Sequence, residues 1–361
     1  MWKYCTDMKK GITVITLILA TCSIALSQSK EEQDLFFLNL IQETQTPQKT
    51  STTISSNISL NYRQEDGFGG NVGISISNPR NLFASDIYIS SKLSMGFNAK
   101  GHHYFKKVDS RLEYSISGYK NNRYYWGTGY ENGINMEKAL YTQMGIKANV
   151  GYRLYLINNL ELTPMINYEL FKTKDLADNE YSNHFYFGMN FLYDSRNKLT
   201  NPDKGLMISF TQKIYPNYII NSEGFFQTKF IADLFIPVWK DGVMAIDLFC
   251  ESNYGEVPWY LWTPIGGEVR MRGYYYGRYR DKNSVVAQLE LRQKIYNNHG
   301  LVVWGGAGYI FPSLSDFSFR NILPNCGIGY RLDTSSGLMR VDVGFGKTGE
   351  WGIIAGFNHA F

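Results

Sequence analysis

Hydrophobic and polar residues alternate along most of the chain, from about residue 57 to the last residue. In residues 338–346, apolar side chains occupy every second position, and charged residues or glycines stand between them. Residues 285–296 and 226–238 show the same period of two. Because successive side chains of a strand point to opposite faces of a sheet, each stretch predicts a strand with one apolar and one polar face.

Turn-forming clusters divide this region into sixteen predicted strands, with fourteen as the alternative count. The strands are expected to begin near residues 57, 68, 84, 101, 109, 139, 156, 183, 204, 223, 243, 283, 300, 322, 337 and 351. The first five are the least regular, because their alternation is weak and rich in glycine. Short connections (240–242, 297–300, 333–337) alternate with longer ones (about 120–138, 172–183 and 255–283).

Both a soluble β-sandwich and a closed membrane barrel have strands of this kind. Many of the stretches are longer than the five or six residues of an ordinary strand. Aromatic residues such as Phe345, Trp351 and Phe361 stand at the ends of stretches, where the interfacial girdles of a membrane barrel lie. The pattern therefore favours an all-β fold, a transmembrane antiparallel β-barrel with short periplasmic turns and longer extracellular loops.

Composition agrees with a barrel. Aromatic residues make up 16% of the 361 residues and charged residues 19%, against about 25% charged in soluble domains. The mean hydropathy of −0.27 is expected where every second strand residue faces water. The net charge of +4 favours neither nucleic acid nor a polybasic membrane patch as a partner.

The first 27 residues resemble a secretory signal peptide. Lys9 and Lys10 precede an apolar run at 11–20, and Ala25-Leu26-Ser27 offers a cleavage site of small residues. The run is shorter than the roughly 20 residues that span a bilayer. Lipoprotein processing at Cys22 is the alternative, although Thr21 fits that site poorly. We expect a signal peptide at 1–27, a short periplasmic segment at 28–56 and the barrel at 57–361.

One predicted extracellular loop carries a motif. Residues 264–281 contain the triplet Arg272-Gly273-Tyr274 and resemble the signature loop of the outer-membrane protein 85 superfamily. That superfamily includes the BamA/TamA assembly factors and the two-partner-secretion transporters, and its barrel is also called the bacterial surface antigen domain. Its sixth extracellular loop folds back into the barrel lumen. The strand count independently places 264–281 between strands eleven and twelve, which is the family's position.

Two further segments resemble the same family. Asp194 and Arg196, followed by Pro202 and Gly205, are similar to the family's turn between strands eight and nine. The predicted last strand, 351–361, carries Phe357, His359 and Phe361, which resembles the C-terminal signal that assembly machinery recognises. The resemblance rests on motifs over residues 180–361 and on the alternating pattern alone over 57–180.

A guanidinium inside a barrel keeps its charge and needs carboxylates or water around it. Alternation turns Glu290 towards the lumen, where the family carries an acid that pairs with the loop arginine, and Asp342 also faces inward. The family often has a second acid on strand thirteen, but residues 302–308 contain none. The resemblance leaves Glu290 as the principal expected partner of Arg272; a solvated loop arginine is the alternative.

Little in the sequence suggests enzyme chemistry. His102 and His103 are adjacent, so in a strand they point to opposite faces and cannot share a metal; we expect them at a rim or in a loop. No mature histidine stands in a recognisable Ser/His arrangement. Cys250 and Cys326 are interpreted as two small apolar fillers. We expect no enzyme, no cofactor and no metal.

The resemblance implies a barrel of the bacterial outer membrane that assists protein insertion, assembly or translocation. Its expected partners are outer-membrane lipid and client outer-membrane or secreted proteins, without nucleic acid. Assembly factors of the superfamily usually carry polypeptide-transport-associated (POTRA) domains before the barrel, and we expect a barrel-only member. A passive pore or structural barrel is the alternative, and an outer-membrane hydrolase a third; the oligomeric state stays open.

Overall fold

A computed structural model describes residues 52–63, 66–176, 179–217, 224–316, 319–334 and 337–361. The expected signal peptide, and the expected periplasmic segment as far as residue 51, lie outside these residues. Within the described ranges, no helix is both long enough and apolar enough to cross a membrane.

In the described residues, sixteen strands form one antiparallel sheet in which each strand pairs with the next strand of that sheet. Two further short strands, β12 (Thr263–Ile265) and β13 (Tyr279–Asp281), form a separate hairpin between β11 and β14. A short helix, α1 (Tyr130–Asn135), lies between β5 and β6. The sheet contains β1 (Thr53–Arg63), β2 (Gly67–Ser77), β3 (Asn81–Ser90), β4 (Met95–Phe105), β5 (Ser110–Tyr125), β6 (Ala139–Ile157), β7 (Leu160–Lys174), β8 (Tyr181–Asp194), β9 (Gly205–Tyr215), β10 (Phe225–Trp239), β11 (Gly242–Gly255), β14 (Asn283–Tyr296), β15 (His299–Phe311), β16 (Leu323–Thr334), β17 (Gly337–Phe345) and β18 (Trp351–Phe357).

The all-β fold with sixteen strands is confirmed, and most strands begin within a few residues of the predicted positions. The first strand begins at Thr53, so the predicted boundary at 57 is too late. The predicted loop at 120–138 is also too long, because β5 and β6 pair as far as Tyr125 and Ala139. The strand pairing therefore continues beyond the residues that show the alternation.

Burial along the strands is the reverse of that in a soluble protein. On β10, Phe226 and Phe230 are 49% and 36% exposed, whereas Lys229 and Asp233 are 8% and 2% exposed. The outer surface is therefore apolar and the charged side chains point inward. Such an arrangement is stable only where lipid, not water, surrounds the barrel.

The main packed core lies inside the barrel. Loop residues Met271, Tyr274 and Tyr279 pack in the lumen against the wall residues Phe249 and Val286. The folded-in loop covers these apolar wall residues and so takes the place of a soluble protein's core.

The last strand ends at Phe357, four residues before the predicted end. Asn358 has a φ of +63°, and the following residues turn into the lumen, where Phe361 packs with Phe235 and Ala245. Nη2 of Arg292 donates to the Phe361 carbonyl oxygen at 2.7 Å. The prediction that Phe361 belongs to the aromatic girdle is therefore wrong, because its ring finds an apolar contact inside the barrel.

The lipid-facing surface can be tested on β10 with one substitution at two depths. Phe230→Arg, near the middle of the strand, should reduce the free energy of unfolding by about 2–4 kcal/mol, whereas Val238→Arg, near the periplasmic end, should cost about 0–1 kcal/mol. Urea unfolding in lipid vesicles measures both values. Equal costs at the two positions would contradict the assignment of β10 as a membrane-spanning strand.

Candidate functional site in the barrel lumen

The loop between β11 and β14 is the sixth extracellular connection, and it enters the barrel. A 3-10 turn (Trp259–Leu261) is followed by the β12–β13 hairpin, in which Thr263 pairs with Asp281 and Ile265 with Tyr279. This hairpin closes the neck of the loop, so that residues 266–278 must turn back within it. Its tip carries the predicted Arg272-Gly273-Tyr274 triplet.

Arg272 is fully buried and lies between two carboxylates of the wall. Its Nη1 donates to Oδ2 of Asp342 on β17 at 2.7 Å, and its Nη2 pairs with Oε1 of Glu290 on β14. The guanidinium carbon lies 3.7 Å from the centre of the Trp304 ring on β15. The structure thus brings both predicted acids to Arg272, and an aromatic face stands on the strand that lacks the family's second acid.

Each of these carboxylates is shared with a second, wall-borne arginine. Nε of Arg292 donates to Oε2 of Glu290 at 2.9 Å, and Nη1 of Arg331 pairs with Oδ1 of Asp342. Charge-assisted bonds of this kind are stronger than neutral ones and fix the orientation of the acceptor. The wall therefore holds the two acids in place before the loop arginine contacts them.

Gly273 lies against the barrel wall. Its φ is +112°, and a Cβ there would lie 2.8 Å from the backbone carbon of Gly344 on β17. A Cβ on Gly344 would in turn lie 2.4 Å from the Arg272 carbonyl oxygen. Two backbones therefore touch at a point where neither can carry a side chain, which explains why glycine follows the arginine of the motif.

Tyr274 completes the motif on the other side of this contact. Its hydroxyl donates to the Pro324 carbonyl oxygen at 2.6 Å and accepts from the Lys347 amide at 2.7 Å. Burial raises the pKa of Tyr274 to about 12; like an ordinary tyrosine hydroxyl, it carries its proton at neutral pH and can donate. The residue joins the loop to β16 and to the β17–β18 connection.

The extracellular side of the loop is covered by two other connections. Arg278 Nε donates to the Gly133 carbonyl oxygen of α1 at 2.8 Å. Tyr279 Oη donates to Oε1 of Glu350, in the β17–β18 connection, at 2.9 Å. Burial raises the pKa of Glu350. The loop is thus held from above by the β5–β6 connection and by the last hairpin.

The second predicted motif forms the periplasmic turn between β8 and β9. Asp194 accepts two hydrogen bonds from the Arg196 guanidinium, at 2.9 and 2.7 Å. Gly205 has a φ of +115°, and a Cβ there would lie 2.5 Å from the Ser195 carbonyl oxygen. Pro202 is buried in the same turn. All four residues therefore lie in one turn.

The C-terminal residues contact the β8–β9 turn. The His359 amide donates to Oδ1 of Asn201 in the β8–β9 turn at 2.9 Å. Burial, and secondly the charge of Arg292, hold the pKa of His359 well below its usual range, so the ring is neutral. The side chain of Phe357 lies outside the described residues. A role of Phe357, His359 and Phe361 as an assembly signal stays a prediction.

His102 and His103 do point to opposite sides, since His102 is buried and His103 contacts Asn81. Both lie within β4, near its last residue Phe105, so the expectation of a loop position is wrong for them and that of a rim position stays a prediction. Sequence reasoning also missed Trp304 and Arg292. Alternation places both on the lumen side, which was the available signal, but neither could be connected to Arg272 without the strand register.

The exposed apolar wall, the buried charges and the folded-in sixth loop define an integral β-barrel protein of the bacterial outer membrane. The profile of the Omp85 superfamily domain matches residues 46–358. The chain belongs to the Omp85 superfamily.

Three solved structures share the fold at low sequence identity. BamA from Haemophilus ducreyi lacking POTRA domains 1–3 has a TM-score of 0.64 at 15% identity, with 85% of this chain and 69% of that chain covered. CdiB from Acinetobacter baumannii has a TM-score of 0.57 at 12% identity, covering 84% and 58%. CdiB from Escherichia coli has 0.63 at 11%, covering 85% and 62%.

The chain therefore spans less than two thirds of the length of either CdiB structure. A comparison with curated protein sequences gives no match.

Removing the Arg272 guanidinium should strongly destabilise the fold, because two buried carboxylates lose the partner that they share. We expect Arg272→Ala to reduce the free energy of unfolding by about 3–5 kcal/mol, and Arg272→Lys to cost less, since an ammonium keeps the charge but cannot span both acids. Urea unfolding in vesicles measures this. A loss no larger than that of Lys282→Ala, which removes a cation elsewhere in the loop, would refute the clamp.

The backbone contact at Gly273 can be separated from backbone strain. Gly273→Ala and Gly349→Ala both place a side chain at positive φ, which costs about 1–3 kcal/mol. A Cβ at Gly349 has nothing within 4 Å, whereas one at Gly273 meets β17. Gly273→Ala should therefore be clearly the more destabilising in thermal unfolding. Equal effects would show that the loop does not lie on β17.

Proposed function

We propose that this protein, as a member of the Omp85 superfamily, assists the insertion or translocation of other proteins at the outer membrane. The observation that carries the proposal is the uneven wall. Central strands such as β6 have 19 residues, whereas β18 has 7. The lumen loop is fixed to the same side of the barrel as this short last strand.

A short last strand makes that side of the barrel easy to rearrange. β18 pairs with β17 through seven residues, from Met339↔Phe357 to Phe345↔Trp351. Strand edges with free backbone groups accept a further strand by β-augmentation. Separating or extending a sheet at β18 disturbs fewer hydrogen bonds than doing so at any central strand, which supports a client strand entering here.

The loop holds the neighbouring strands in place while the sheet is rearranged at β18. Arg272 contacts β14 and β17, and Tyr274 contacts β16 and the β17–β18 connection. On β2, β3 and β4 the lumen side of the wall is polar, and Asn71 and Asn98 both donate to Asp86. A polar stretch of wall apart from the strands that the loop contacts suits a barrel that handles extended polypeptide.

The expected partners in this proposal are membrane lipid and client outer-membrane or secreted proteins. The proposed action needs no bond to be made or broken by the protein. The proposal accordingly includes neither enzyme activity nor a cofactor, since the strands supply the hydrogen bonds.

The proposal is tested by locking the first strand to the last. In a cysteine-free background, one cysteine is placed in Thr53–Ser56 and one in β18, and the pair that crosslinks most completely is used. With the protein in lipid vesicles, the oxidised form should lose most of its ability to accelerate insertion of an unfolded outer-membrane barrel. Reduction should restore it.

Two matched measurements make the result decisive. Each single-cysteine variant should keep full activity under oxidation. Full activity of the locked protein would overturn the proposal. No acceleration by the unlocked protein, together with a steady conductance in planar bilayers, would favour a passive pore instead.

A further inference from the structure

We propose that Arg270 is a second positioning residue, which anchors the lumen loop to β11 independently of Arg272. The two arginines are separated by one residue in the loop. Arg272 reaches β14 and β17, whereas Arg270 reaches the neighbouring wall at Asp247. The loop tip is therefore fixed at two points on different strands of the barrel.

The contact between Arg270 and Asp247 is bidentate and buried. Nε of Arg270 lies 2.8 and 3.0 Å from the two carboxylate oxygens, and Nη2 lies 2.6 Å from Oδ1. Arg270 is 3% exposed and Asp247 is 0% exposed. The guanidinium also lies 4.6 Å from the centre of the Phe249 ring. A solvated lumen side chain would be far more exposed, so the burial of Arg270 indicates a structural contact.

Asp247 belongs to a row of residues at one height of the wall. Strand register places Asp247 on β11 beside Gln288 on β14, then Gly306 on β15 and Asn325 on β16. A Cβ on Gly306 would lie 2.8 Å from both Gln288 Cγ and Asn325 Oδ1. The missing side chain leaves the polar groups on either side room to reach the loop.

The loop backbone lies along this row and is hydrogen-bonded to it. The Met271 amide donates to Gln288 Oε1 at 2.9 Å, and Asn325 Nδ2 donates to the Arg272 carbonyl oxygen at 3.1 Å. Gln288 Nε2 lies 3.3 Å from Asp247 Oδ2. Arg270 therefore secures one end of a segment whose peptide groups are bound by the row, and Arg272 secures the other.

Charge explains why a cation is needed at residue 270. Asp233 on β10 pairs directly with Asp247 in the strand register, and it is 2% exposed. Two neighbouring buried carboxylates repel each other and are costly without a cation. Arg270 supplies such a cation from the loop and thereby stabilises the β10–β11 wall.

This inference concerns the position of the loop and does not depend on the proposed function. It is tested with Val269→Cys, a buried reporter beside Arg270, in a background without other cysteines. The rate of labelling by a maleimide is measured on folded protein in vesicles, with folding checked by heat-modifiable migration in gels. Arg270→Gln and Asp247→Asn should each raise the rate roughly tenfold or more, equivalent to about 1.4 kcal/mol of local opening.

Rescue distinguishes positioning by this pair from a general loosening. Arg270→Asp combined with Asp247→Arg restores opposite charges in reversed order and should return the labelling rate to within about threefold of the reference. Lys282→Gln, a neutralisation elsewhere in the loop, should leave it unchanged. Wild-type labelling in the folded single variants, or a folded charge swap that labels like the single variants, would overturn the proposal.

Discussion

The structure depends on a buried guanidinium held between two carboxylates of the barrel wall. Arg272 joins Glu290 and Asp342 in a place that water does not reach. The guanidinium could not remain in such a site alone, because an unpaired buried ion costs several kcal/mol. The pairing therefore fixes the loop in the lumen. Loop and wall thus stabilise each other.

The same dependence extends across the lumen. Several other residues support the contact between the loop tip and the wall. They are the wall arginines that share Glu290 and Asp342, the glycines that admit the loop backbone and the tyrosine that reaches the last hairpin. Tyr274 joins the loop to the β17–β18 connection. Arg292 bonds both to Glu290, the partner of Arg272, and to Phe361, which follows β18. The last strand, short as it is, is consequently bordered on its inner side by a rigid body rather than by water.

Lipid outside and water inside impose the second constraint, and they made much of the fold predictable. The period of two in residues 226–238 and 285–296 reflects that sorting directly, since each position must suit one solvent or the other. Where the alternation stops, so does the prediction: the predicted boundaries were wrong at the β5–β6 connection and after Phe357. The pairing of Glu290 with Arg272 was foreseen from the family resemblance and from alternation.

The sequence by itself determined the strand number, the face that each strand residue occupies and the place of the loop in the strand order, because these depend only on neighbours along the chain. Tertiary structure decided which lumen residues meet. Trp304 lies on the strand where an acid was expected, Asp342 reaches Arg272 from β17, and Phe361 turns inward. These contacts join residues tens of positions apart. They depend on strand register and on how deeply the loop enters the lumen, and the alternation of polar and apolar residues carries no information on either.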